Sequence, residues 1–129
     1  RNNPSRITLI GGAQGRNILL GSPADDFIEG GEKHDALIGR GGNDQLEGND
    51  GNDSFLPWSA TSQEAGSSIS INGGRGFDRV YLKGNQKTYL VAPDCDDKQC
   101  EIRLSSTNNI ILSLTSVEQI IFKNGIKTF

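Results

Sequence analysis

The sequence predicts an all-β fold of short strands stacked through tight turns, and three observations carry that prediction. A nine-residue phrase runs five times in unbroken phase: Gly12–Leu20, Gly21–Glu29, Gly30–Ile38, Gly39–Glu47 and Gly48–Leu56. A further copy, Gly73–Tyr81, stands apart after a gap. Within the phrase, Gly opens every copy, an acid or its amide holds position 6, and an apolar residue holds position 8. A period of nine matches neither a 3.6-residue helix nor plain alternation. It matches turn-and-strand units that each bury one side chain and stack.

Each position has a physical reason. Position 8 reads Leu19, Ile28, Leu37, Leu46, Phe55 and Val80, an apolar ladder pointing into the stack. Position 6 reads Asn17, Asp26, Asp35, Asp44, Asp53 and Asp78. Gly at positions 1 and 4 is expected to take positive φ and turn the chain sharply; Ala24 and Lys33 are the exceptions at position 4. Such a turn aims several carbonyl oxygens at one point, and the acid adds a carboxylate there. A donor set of hard oxygens without Cys or His suits Ca²⁺. Mg²⁺ is disfavoured, because it sheds water reluctantly and demands octahedral geometry.

After Leu56 the period breaks. Residues 57–72 are expected to loop out, with Trp58 as their one large aromatic. From residue 80 the pattern is strand and turn. Val80–Leu82, Thr88–Val91, Glu101–Leu104, Ile110–Leu114 and Val117–Phe122 read as strands, and Asn124-Gly125 reads as a two-residue hairpin turn. Cys95 and Cys100 flank a four-residue loop between two of these strands. They are expected to form a hairpin disulfide, which suits an extracellular setting.

The phrase resembles the Gly- and Asp-rich nonapeptide of RTX proteins, G-G-x-G-x-D-x-U-x, over roughly residues 12–81. Residues 78–85, 89–91 and 117–125 are similar to the segment that often follows such arrays. The resemblance implies a right-handed parallel β-roll over 1–81 and a C-terminal β-strand and hairpin cap over 82–129. It implies that alternate repeats stack on one side and share Ca²⁺ between loops. Carried onto this chain, it gives up to four inter-loop sites, 17/35, 26/44, 35/53 and 44/78. Gly31, Gly39, Gly41, Gly42, Gly48, Asp50 and Gly73 then line the turns beside the position-6 residues. Asn17 and Lys33 weaken the sites they touch, so the 35/53 and 44/78 pairs are expected to be the firmest.

The resemblance further implies a non-catalytic module of a larger secreted bacterial protein, exported unfolded and folded by external Ca²⁺. The absence of Met from the chain agrees with a fragment of a longer protein. Residues 1–56 hold five Lys or Arg against nine Asp or Glu, so the acids concentrate in the repeats. Without a cation their mutual repulsion opposes compaction. No apolar run reaches the ~20 residues of a membrane helix. No nucleophile, base and orienter converge, His34 is the lone histidine, and no nucleic-acid partner is indicated. A second reading is a calcium-dependent module for an extracellular acidic polysaccharide, bound through Arg75, Arg79, Lys83, Lys87 and Trp58.

Overall fold

A computed structural model describes residues 7–12, 14–57 and 68–129. Trp58 and most of the expected excursion lie outside the described residues. The described chain is all-β apart from one 3₁₀ turn at Gln86–Thr88.

The repeats form three-residue strands at positions 7 to 9. These are β1 (Thr8–Ile10), β2 (Ile18–Leu20), β3 (Phe27–Glu29), β4 (Ala36–Ile38), β5 (Gln45–Glu47) and β6 (Ser54–Leu56). They continue into β7 (Ile69–Asn72) and β8 (Arg79–Tyr81). Odd strands pair in parallel in one sheet and even strands in the other, so the chain winds as a parallel β-roll with two strands per coil.

The pleat turns position 8 inward. Ile28, Leu37, Leu46, Phe55, Ile71 and Val80 are each 0% exposed and stack as one apolar column. Burying a side chain of this size contributes about 1.5–3 kcal/mol. Positions 7 and 9 face outward, and at position 9 the two sheets differ in character. On the even sheet Leu20, Ile38 and Leu56 align, with Tyr81, Ile121 and Ile126 aligned beyond them. On the odd sheet Ile10, Glu29, Glu47, Asn72 and Thr115 align.

Three features depart from the sequence reading. First, 57–72 is not wholly an excursion: Ile69–Asn72 is a roll strand, in register with Gln45–Glu47. Its Ile69 and Ile71 point inward and supply the burial that the pleat requires. Half a coil thus hides in the gap, and Gly73–Tyr81 stacks on the coil of Asp53 instead of that of Asp44. Second, the first turn opens at Gly11. Its N–H donates to the Glu29 carbonyl (2.8 Å), as that of Gly21 does to Ile38 (2.7 Å), so this turn is one residue longer than nine. Third, the hairpin loop is Lys123-Asn124, with Gly125 already paired to Phe122.

The C-terminal strands are β9 (Tyr89–Val91), β10 (Gln99–Leu104), β11 (Ile110–Thr115), β12 (Gln119–Phe122) and β13 (Gly125–Thr128). β11 pairs in parallel with β7, and β12 in parallel with β8, so the roll runs one coil further than the glycine pattern. Antiparallel strands then close each sheet, β10 and β9 on one and β13 on the other. They cover edges that would otherwise present unpaired backbone. Cys95 and Cys100 form the disulfide and pin the turn from β9 to β10.

Candidate metal centre

The turns between strands carry two hydrogen-bonded ladders. At position 6, each carboxylate Oδ1 accepts the position-6 N–H of the preceding coil on its side. Asp35 takes Asn17 (2.8 Å), Asp44 takes Asp26 (2.8 Å), Asp53 takes Asp35 (2.7 Å) and Asp78 takes Asp53 (2.8 Å). At position 5 the bonds run the other way. Asp25 accepts from Asn43, His34 Nδ1 from Asn52, Asn43 from Ser68 and Asn52 from Phe77. His34, a plain loop substituent on sequence grounds, is a rung of this second ladder.

The other carboxylate oxygen divides the turns into two kinds. Asp26 Oδ2 accepts the Ser22 N–H (2.6 Å) and hydroxyl, and Asp35 Oδ2 accepts the Gly31 N–H (2.9 Å). Asp44, Asp53 and Asp78 are 2%, 0% and 0% exposed, yet their Oδ2 atoms have no partner. An unpartnered buried polar atom costs about 1–3 kcal/mol, more when charged. Burial accordingly pushes the Asp44 and Asp53 carboxyls up to about 7 and that of Asp78 to about 8. Neighbouring acids add to the rise.

Each orphan oxygen faces a backbone carbonyl across the Cα of the position-1 glycine. A Cβ on Gly39 would lie 2.5 Å from Asp44 Oδ2 and 2.7 Å from the Pro57 carbonyl. A Cβ on Gly48 would strike Asp53 Oδ2 and lie 2.7 Å from the Gly73 carbonyl. Position 1 is therefore glycine for space, and none of these glycines has positive φ. Left-handed backbone falls at positions 2 and 4 instead, as at Asn49 (φ 64°) and Gly51 (φ 94°). Gly41 and Gly42 also take positive φ in their turn. Asp50 is exposed on the Asp53 turn and adds negative potential there.

Asn17 behaves differently. Its side-chain amide donates to the carbonyls of Gly12 (3.1 Å) and Gly15 (3.3 Å) and to Asp35 Oδ1 (2.9 Å). The amide protons thus gather oxygens as a cation would.

Among the described residues no three Asp, Glu, His or Cys side chains form a metal-holding group. The donor set is one or two carboxylates per turn plus carbonyls, which fits a hard cation such as Ca²⁺ and excludes a thiolate or imidazole site. The basic residues of the second reading lie on separate segments. Arg75 sits in a turn, Arg79 lies over Phe77 (5.0 Å) and donates to Gln119, Lys83 follows β8, and Lys87 is in the 3₁₀ turn.

Sequence reasoning missed Glu118. It occupies the position-6 place of the last coil, and its Oε1 accepts the Asp78 N–H (2.7 Å). The signal was present as Val117-Glu118-Gln119-Ile120 set against Phe77-Asp78-Arg79-Val80.

Stacked acidic turns on a two-sheet solenoid define a parallel β-roll built to bind cations. Residues 11–46 and 20–55 match the RTX calcium-binding nonapeptide repeat, described as four copies. The match begins at Gly11, where the structure opens the first turn. No curated protein matches the chain. Among solved structures it is similar to the extracellular lipase LipA from Serratia marcescens at 23% identity, covering 87% of this chain with a TM-score of 0.37. The chain spans 15% of that lipase's length.

Proposed function

We propose that this chain is a calcium-triggered folding module, disordered when Ca²⁺ is scarce and folded in the millimolar Ca²⁺ outside the cell. In that role it stabilises a larger secreted protein and aids its export. The observation that carries the reading is the row of orphan oxygens on Asp44, Asp53 and Asp78, buried beside carbonyls. These three turns take the ions first. When bound, Ca²⁺ supplies the positive charge that the carboxylates lack, and its binding energy becomes folding energy. Circular dichroism at pH 8.5 in chelator, then in millimolar Ca²⁺, tests this. A gain of β signal is expected, and an unchanged spectrum overturns it.

Asn17→Asp is expected to convert an amide-closed turn into a calcium-dependent one. The variant loses the donors to Gly12, Gly15 and Asp35, and sets two carboxylates together. It should be less stable than the parent in chelator near pH 5 and bind one more ion in calcium, counted by native mass spectrometry.

A further inference from the structure

The junction between roll and cap repeats the turn chemistry in a segment without the glycine signature. The Gly73 N–H donates to the Thr115 carbonyl (2.8 Å), as the Gly48 N–H does to Asn72 (2.8 Å). Ser116 follows at the position-1 place with φ 54°, and its carbonyl stands over the Gly73 Cα. Asp78 Oδ2 lies on the same spot: a Cβ on Gly73 would be 2.7 Å from it and would strike the Ser116 oxygen. Val117 and Glu118 then fill positions 5 and 6, so this turn has lost the residues between and kept the ends. The Glu118 and Gln119 N–H groups both donate to the Asp78 carbonyl (3.1 and 3.2 Å), tying the two coils directly.

We infer that the cap completes a divalent-cation site, with Asp78 and Glu118 as its carboxylates and the Ser116 carbonyl as a third donor. Asp78 is fully buried, and its free Oδ2 is aimed at that carbonyl. Glu118 takes the same hydrogen bond here that Asp78 takes from Asp53. The ion at this junction joins roll to cap, so the last coil is locked by metal and not only by strand pairing. The inference rests on the calcium reading of the roll and extends it beyond the nonapeptide.

Glu118→Gln in the full chain tests it. The amide oxygen of Gln still accepts the Asp78 N–H and the repulsion between Glu118 and Asp78 is removed, so stability in chelator near pH 5 should be no lower than the parent's. Calorimetric titration with Ca²⁺ alone should show one site weakened at least tenfold and the others unchanged. Unaltered number and affinity overturn the inference while leaving the calcium reading intact. A parent chain that binds no Ca²⁺ overturns both. Hydrogen exchange on the unmodified protein gives an independent reading. The Glu118 and Gln119 amides should gain protection in a calcium step together with the Asp78 turn, and protection that ignores calcium overturns the inference.

Discussion

Gly48→Ala is expected to break the centre of the roll even in saturating calcium. The new methyl group would collide with Asp53 Oδ2 and sit 2.7 Å from the Gly73 carbonyl. One is a fully buried carboxylate and the other is backbone, so neither can swing aside. Overpacking of this kind costs about 1–3 kcal/mol. The displaced carboxylate also loses its place beside the carbonyl, so metal binding falls with it. Gly12→Ala is the control, because nothing lies within 4 Å of a Cβ there. Thermal melts in calcium should show Gly48→Ala lowered by roughly 10 °C, with Gly12→Ala unchanged. Equal melts for the two variants would show that position 1 is not a packed metal cradle.

The second expectation concerns acidity. Asp44 and Asp53 are raised from 3.8 to about 7, and Asp78 to about 8. A raised pKa means that the folded state holds these protons more tightly than the unfolded chain does. The protonated carboxyls therefore favour the metal-free fold fully below about pH 4. That contribution is lost as pH rises through 7 to 8. In chelator, the protein should be folded near pH 5 and largely unfolded near pH 8.5. Calcium takes the place of the protons, so it should refold the chain at pH 8.5, and its apparent affinity should climb with pH. Circular dichroism at the two pH values with chelator checks the first part. Equal structure at both would mean that the three carboxylates do not oppose folding.

The array and its two-sided stacking were legible because turns with tight steric needs leave a strict residue code. Asp35 and Asp53 fell on one side and Asp26 and Asp44 on the other, as the period requires. The coil through Ile69–Asn72 was not legible, because a strand needs only two inward apolar residues, Ile69 and Ile71. The sequence between Leu56 and Ile69 is longer than in the other repeats and position 6 is Ile69, not an acid, so the phase was lost, and Asp78 was set above Asp44 instead of Asp53. The last coil was hidden for the opposite reason, since its turn at Ser116–Glu118 is shortened. The difference between Asp35 and Asp53 was not legible either. It depends on whether an N–H such as that of Gly31 reaches the second carboxylate oxygen, and the shared letters do not encode that.

The alternation at position 9 makes the roll an object with parity. Leu20, Ile38 and Leu56 belong to one sheet and Glu29 and Glu47 to the other, so the true unit is eighteen residues. Losing a single nonapeptide would exchange the greasy and acidic faces for everything downstream. The irregular half-coil ending at Asn72 keeps the alternation in phase, and with it Tyr81 and Ile121 join the apolar face. Such a molecule can lengthen or shorten freely only by pairs.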